Sequence, residues 1–553
     1  MASLLAAIQE AAALFEGGKL SAKEFEQLKS RLLNADSGGK VFNDHIHGHI
    51  EVSPLCVSII DTPQFQRLRD ISQLGGVNFV FAGAANKRFD HSIGVSHLAK
   101  RFVTALAARQ PELGVTPQDV LCVEVAGLIH DLGHGPFSHM FEKMFLEARM
   151  NVHFDHEHAS IGIFDLLIAE NDLMPQFRSH GLDESDIHFI KELVLGSRQS
   201  AAVADKRLKG GFQWRGRGDK TFLYDIVANQ RNGIAVDKFD YFARDCHVLN
   251  IANTFDADRL IKFSRVYRVA DPHPSSSAAE PGLERGELQI CFHQKEAWNL
   301  NEVFHLRYNL HKRAYQHRTV GSVELMIAEA LALANDHLLF PGSDGRRLRM
   351  SECCEDMQAY WRLSEYILKL IEFSATPELG PARRLIERLR RRELFPFVDE
   401  RVLAKEDEHL GRSRRLPQEL MRVLREMGVE AATIADEDVL CKDHTRYPFV
   451  ILSPLRRQGG SHLLRQGAEE PPRQHHLLRH PEGRLLASAG GGEVGVAEPA
   501  APAGVRGHLR ADLLQAPVSA AARSPSLRAV VSAEPEDRAR PYDPPQVETT
   551  ASR

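Results

Sequence analysis

A ten-residue run, HDLGHGPFSH at positions 130–139, brings three histidines and an aspartate close together. His130 and Asp131 are adjacent; His134 and His139 come three and eight residues after Asp131. Neutral imidazole and carboxylate together suit a hard-to-borderline divalent ion such as Zn, Fe, Mn or Mg. A bare His-Asp pair is more often a histidine bonded to a neighbouring carboxylate. The density of this run favours a metal instead. Asp237, Tyr241 and Asp245 recur at i, i+4 and i+8, one face of a helix, with Lys238 beside them. Arg307, His311, Tyr315 and Arg318 recur at i, i+4, i+8 and i+11 and read as a second helical face. A solvated basic face is the ordinary meaning of such a charge run. The interleaved phenol, with Gln316 and His317 next to it, favours a nucleotide site. No P-loop signature (GxxxxGKS or GxxxxGKT) occurs, which excludes a P-loop nucleotidase.

These residues need helices to hold them. VEVAGLIHDLGHGPFSHMFEKMF, residues 123–145, predicts a buried helix with His130 and Asp131 in its last turn, stopped by Gly133, Gly135 and Pro136. Helical periodicity, as at Val125, Leu128 and Leu132, dominates from about Lys40 to Thr445. Strand signals are few: KVFNDHIHGHIEV, then RVYRVA and GELQICF. The last two flank the Ser/Pro/Ala-rich stretch DPHPSSSAAEPGLERG and predict a hairpin with a long loop. The expected class is mainly α with a small β element. Residues 1–39 predict a short helical hairpin, with Ser21 and Glu24 as a capping box, serving as an oligomerisation device or a solvated arm. From Arg456 onward there is no Lys, Phe, Trp, Ile, Met, Cys or Asn, and Tyr542 is the only aromatic residue. Such a tail, set at residues 449–553, is expected to be disordered.

The 553 residues, 43% of them hydrophobic, can build a sizeable core. A net charge of −5 argues against a chain-wide nucleic-acid surface, though not against a local basic groove. The seven cysteines are scattered and form no CxxC pair, so a reducing interior is expected. MASLLAAIQEAAALF has no basic flank, and no apolar stretch reaches the length of a membrane span. A soluble intracellular protein is the expectation.

From Lys40 to about Tyr447, long motifs carry a resemblance: VFNDHIHGHIE, IDTPQFQRLRDISQLGG, RFDHSIGVSHLAKR, AGLIHDLGHGPFSHMF, RNGIAVDKFDYFARDC and RYNLHKRAYQHR. The chain resembles the vertebrate SAM-and-HD-domain deoxynucleoside triphosphate triphosphohydrolases, within the HD phosphohydrolase superfamily. The resemblance implies an HD domain over 40–448 and metal ligands at His91, His130, Asp131 and Asp237. It implies hydrolysis of dNTPs at the α-phosphorus to deoxynucleoside and triphosphate, limiting the dNTP pool. His139 is then the expected general acid, with His134 and His156 beside the phosphate. Arg88, Lys238, Tyr241, Asp245, Arg307, Tyr315 and Gln316 are expected to contact substrate. Gln73 and Leu74 would read the sugar, Leu74 by crowding a 2′-hydroxyl. Asp61, Gln66 and Arg69 would read guanine at an activating GTP or dGTP site, although Asp61 before Thr-Pro also fits a plain helix N-cap. Asn43, Arg259, Phe263, Lys295, Asn299, His317 and Arg318 match other activator positions. A nuclear location and a homo-oligomer, dimer or tetramer, are further implications.

The chain departs from that pattern at several points. The short hairpin stands where the family carries its SAM domain. Ala235 replaces an acidic residue, and His293 replaces an activator-site arginine. The resemblance ends shortly after Pro448, so the C-terminal lobe that helps build the family's tetramer is not expected. A competing expectation is a weakly active HD shell that binds single-stranded nucleic acid or a regulatory partner. Another is an HD phosphodiesterase with a different substrate. The Gln73–Leu74 pair argues against the latter.

Overall fold

The computed structural model describes residues 39–196, 216–269 and 287–395, Gly17, and the short strands Phe397–Glu400, Val439–Lys442, Phe449–Leu452, Leu477–Arg479 and Leu485–Ala487. The helix that delivers the dense histidine run spans Pro117–Ile129. Its start is fixed by a reciprocal cap. Thr116 Oγ1 accepts from Asp119 N–H at 3.1 Å, and the Asp119 carboxylate accepts from Thr116 N–H at 2.9 Å. Residues Cys122–Ile129 are buried without interruption and apolar but for Glu124, so the helix runs through the core. It ends one turn earlier than the periodicity predicts. His130 caps it, and Asp131 lies in the turn beyond, where His134 N–H bonds the Asp131 carbonyl at 3.2 Å.

The Arg88–Arg109 helix packs along this one, and the Val236–Leu249 helix packs on Arg88–Arg109. The Arg318–Ala334 helix is buried over nearly its whole length. The β content is a set of small antiparallel pieces, as expected. Lys40–Asp44 pairs with Gly48–Val52 in the register Lys40↔Val52. Ser264–Val269 pairs with Glu287–Phe292, so RVYRVA and GELQICF do form one hairpin. A three-stranded piece has the order Phe397–Glu400, Phe449–Leu452, Val439–Lys442.

The N-terminal arm and the loop over 270–286 lie outside the described residues. So does most of the segment after 448; within it, Leu477–Arg479 pairs with Leu485–Ala487. Cys56, Cys122, Cys246, Cys291 and Cys353 are free and buried, and Cys354 is free and half-buried. No described helix is long and apolar enough to cross a membrane.

Two departures from helical periodicity matter for the site. Phe141–Met150 is a π-helix, and so is His311–Tyr315. The stripe from Arg307 to Arg318 is therefore not one helical face. Arg307 lies in the last turn of the Ala297–Leu310 helix, His311–Tyr315 form the wider turn, and Arg318 begins the next helix with His317 as its N-cap. A π-turn inserts a residue and rotates the side chains beyond it, and such turns are common near functional sites.

Candidate metal centre and nucleotide cleft

Three helices far apart in sequence converge on one point. His91 sits in the first turn of the Arg88–Arg109 helix, His130 and Asp131 at the end of Pro117–Ile129, and Asp237 in the first turn of Val236–Leu249. His91 Nε2 lies 3.2 Å from an Asp237 oxygen and 3.4 Å from an Asp131 oxygen. His130 Nε2 lies 3.4 Å from Asp131 and 3.7 Å from Asp237. The donor atoms of His91, His130 and Asp237 all fall within 4.8 Å of one another.

The residues fit a divalent ion. Both histidines spend Nδ1 on fixed acceptors: His91 on Asp240 at 2.7 Å, His130 on the Gly127 carbonyl at 2.8 Å. That leaves Nε2 of each pointing inward, buried and without a hydrogen bond. Orphaned buried nitrogens are costly unless something fills the site. The carboxylates are kept ionised. Burial would raise Asp131, but Arg88, His130 and His134 hold it well below the carboxylate range; Asp237, despite burial, is lowered in the same way by His130 and His91.

Beside this centre stands a second histidine group, His134, His139 and His156. The rings of His134 and His156 stack at 4.0 Å, and His139 meets both edge-on at 4.9 and 5.3 Å. Glu142 supports them. Its carboxylate accepts from His156 Nδ1 at 3.0 Å and lies 3.8 Å from His139 Nδ1. Burial works against the charged form of His156, but Glu142 and Glu157 overcome it and raise the pKa. His134 goes the other way: burial, Arg88 and His156 push it far down, so it is neutral. The connecting loop is strained. Phe137 and Ser138 have φ of 61° and 56°, a left-handed conformation uncommon outside glycine. Ser138 Oγ accepts from Arg88 Nε at 2.9 Å and donates to the Ser72 carbonyl at 2.6 Å. Arg88 also donates to Asp131 at 2.5 Å and to the Gln73 carbonyl at 3.3 Å. It is thus a buried pivot between the histidine loop and the Gln73 segment.

The face carrying Asp237, Tyr241 and Asp245 continues from the centre. Asp245 accepts from Asn86 at 3.0 Å and from the Tyr315 hydroxyl at 2.6 Å. Those bonds favour its ionised form, yet burial dominates and its pKa stands at about 6. Burial lowers Lys238, with Asp237 opposing and Arg307 assisting. Burial, with Arg307 and His139, lowers His311 to about 4, so its ring is neutral at working pH. The Tyr315 bond to Asp245 and the edge contact of His311 with Tyr315 at 4.9 Å bring both residues to this face, and Arg307 is near enough to act on Lys238. Gln73 and Leu74 are buried nearby, and the Gln73 Oε1 has no hydrogen-bond partner. Gln316 is half-buried, its N–H closing the π-turn on the His311 carbonyl at 2.8 Å.

The activator candidates fall into clusters. Gln66 donates to the Ile60 carbonyl at 2.7 Å and accepts from Arg69 Nε at 2.8 Å, and Arg69 lies 3.5 Å over the Phe89 ring. Asp61 pairs with Lys40; the N-cap of the following turn is Thr62, not Asp61. Phe263 is flanked by Lys295 at 3.3 Å and Arg259 at 5.2 Å, and Asn299 Nδ2 bonds the Asp256 carbonyl at 2.8 Å. His293 caps the Gln294–Glu296 turn and meets Phe263 at 6.4 Å. Asn43 lies mid-strand, opposite His49. His317 packs edge-on against Phe81 at 5.9 Å, next to Arg318. Ala235 occupies the N-cap of Val236–Leu249 and provides no side-chain acceptor, which an acidic residue there would have.

Sequence reasoning missed Asp240, Arg244, His47, Glu142, Asn86 and Ser138. The available signal was spacing: Asp240 and Arg244 follow Asp237 at one and two turns, and Glu142 follows His139 at i+3.

The buried helical pair and the inward-facing histidines and carboxylates define an HD-domain protein. A family model described as HD domain matches residues 88–196. More particularly, it is similar to proteins named deoxynucleoside triphosphate triphosphohydrolase SAMHD1. That of Gallus gallus is 49% identical over 364 residues, 65% of this chain and 56% of the relative. That of Danio rerio is 44% identical over 423 residues, 75% and 64% respectively. That of Homo sapiens is 48% identical over 364 residues, 65% and 55%. The chain thus spans little more than half of the chicken and human relatives and 64% of the zebrafish one.

Proposed function

We propose that the chain hydrolyses deoxynucleoside triphosphates to the deoxynucleoside and inorganic triphosphate. The carrying observation is the shared cleft: a centre of His91, His130, Asp131 and Asp237 adjoins three histidines and leads to the Asp245–Tyr315 pair. The name of the relatives agrees with it. Those four residues would hold a divalent ion, which would supply Lewis-acid polarisation of the phosphoryl group. Arg88 holds Asp131 and the histidine loop in register and faces phosphate oxygens. His139 is the proton donor to the departing 5′-oxygen. Its side chain is the most open of the three histidines, 64% exposed, and packs edge-on against His134 and His156. In the free protein the cleft walls, His156 and Arg88 lower its pKa, while Glu142 opposes them. A bound triphosphate acts in the same sense as Glu142 and favours the protonated ring.

At the far end, Asp245 and Gln73 take the 3′-hydroxyl. Gln73 Oε1 is buried and unpartnered, and a hydroxyl donor would satisfy it. Leu74 presses where a 2′-hydroxyl would project. The clusters around Asp61 and Phe263 are the places for an activating GTP or dGTP, acting in a homo-oligomer.

The test is to incubate purified protein with dGTP and a divalent metal, with and without GTP. Free triphosphate as the first product, lost in Asp131→Ala, is the expected result. Orthophosphate or diphosphate as the first product would overturn the reading.

A further inference from the structure

The metal ligands are supported unequally. His130 leans on a backbone carbonyl of its own helix. His91 leans on a fully buried carboxylate, Asp240, at 2.7 Å. That carboxylate is the hub of a buried network joining the hairpin to two helices. Its Oδ1 also accepts from His47 Nε2 at 2.7 Å. Arg244, one turn further along the same helix, clasps it with two bonds of 2.9 Å. The third arm of Arg244 reaches Asp44 at 2.8 Å.

Asp44 ends the first strand of the Lys40–Val52 hairpin and His47 belongs to the turn that follows. Asp44 closes that turn by accepting from the N–H groups of Ile46 and His47 at 2.8 and 2.9 Å. A cavity of about 360 Å³ opens there, lined by Ile46, His47, His97, Arg101, Phe239 and Phe255 among others. The polar bonds to Asp240 and Arg244, with the ring contacts of His45 on His247 at 5.1 Å and His47 on His97 at 5.5 Å, tie that end of the hairpin down. Room for the hub is built in. A Cβ on Gly94, three residues after His91, would come within 1.9 Å of Asp240 Oδ1 and 2.6 Å of an Arg244 nitrogen. Only glycine lets the carboxylate approach the helix that carries His91.

We propose that Asp240 is a positioning residue for the metal ligand His91 and that, through His47 and Arg244, it locks the Lys40–Val52 hairpin to the metal centre. This rests on the metal centre of the proposed function, not on the identity of its substrate. The His91 Nδ1–H bond to Asp240 fixes the ring so that Nε2 faces the ion. The second carboxylate oxygen then reports the hairpin's position to that same ring. A hairpin pulled away would leave Asp240 without its His47 bond and would shift the support under His91.

The experiment uses the full chain loaded with Mn, Zn or Fe and reads metal retention under a chelator titration, without substrate. Hydrogen exchange of residues 40–52 is read in parallel. Asp240→Asn is expected to weaken metal retention by about tenfold or more and to raise hairpin exchange. His47→Ala is expected to raise hairpin exchange and to loosen the metal less. His47→Gln, which can again donate to Asp240, is expected to restore both. If Asp240→Asn fails to fold, the two His47 variants decide. Metal retention and hairpin protection unchanged in Asp240→Asn, or alike in His47→Ala and wild type, would overturn the proposal. Failure of triphosphate release with metal retention behaving as described would instead strike at the substrate reading alone.

Discussion

At the scale of single residues, Asp245 is the group whose state is set most finely. Burial, with Asp240, raises its pKa, and the Tyr315 hydroxyl, the Asn86 amide and His91 lower it, with a net value of about 6. Above that pH the carboxylate can accept a sugar hydroxyl while Tyr315 and Asn86 hold it in place. Below it the proton occupies one of those positions and the acceptor is lost. As pH falls through about 6, the KM for a dNTP should therefore rise, with kcat changed less. Asp245→Asn cannot titrate. Its KM is expected to be about tenfold higher, the worth of one charged hydrogen bond, and flat from about pH 5 to about pH 8. Steady-state kinetics across that range check this. A wild-type KM without the acid-side rise would remove Asp245 from the sugar site.

At the scale of elements, the site depends on how helices begin and stop. The HD run was legible because its chemistry lies within ten residues, and apolar periodicity gave the buried helix before it. The RVYRVA–GELQICF hairpin was legible from its short apolar and β-branched runs, whereas KVFNDHIHGHIEV signalled strand but not its fold-back at residues 45–47. Asp240 was not, because its partners His91 and His47 are 149 and 193 residues away in sequence. Nor was the break at His311–Tyr315, since a π-turn keeps helical composition while shifting the register. The stop after Ile129 carries its own test. A Cβ on Gly133 would meet the His156 carbonyl at 2.0 Å and the Ser160 nitrogen at 2.4 Å, both backbone atoms of the next α-helix. That helix starts at His156, so Gly133→Ala should force it outward and disturb the His134–His156 stack. The expected loss is at the upper end of the about 1–3 kcal/mol typical of overpacking, read by urea unfolding. Gly380→Ala, where the nearest atom is a side-chain nitrogen at 3.5 Å, is the control and should be near neutral. Equal stability of the two variants would show that the two helices are not pinned at Gly133.

At the scale of the whole molecule, the metal centre is where distant parts of the chain are joined. Its four candidate ligands come from three helices spread between positions 91 and 237, and Asp240 extends the junction to the N-terminal hairpin. Without an ion, Asp131 and Asp237 face each other across two orphaned imidazole nitrogens, with Arg88 as the permanent cation on Asp131. An ion that binds this arrangement and not the unfolded chain stabilises the fold by mass action, about 2.7 kcal/mol at roughly a hundred times its dissociation constant. For a domain of this size, that corresponds to a rise of a few degrees in Tm. Chelator-treated protein is thus expected to melt a few degrees lower than metal-loaded protein and to recover when the ion is restored. Differential scanning calorimetry checks this, and urea midpoints provide a second reading. Asp237→Ala separates the site from non-specific metal effects, since it removes a carboxylate that lies within reach of both His91 and His130. That variant should melt at the same temperature with and without metal. If wild type is indifferent to the chelator, the junction is held by Arg88, Arg244 and the core alone. If Asp237→Ala still responds as wild type does, the ion binds elsewhere.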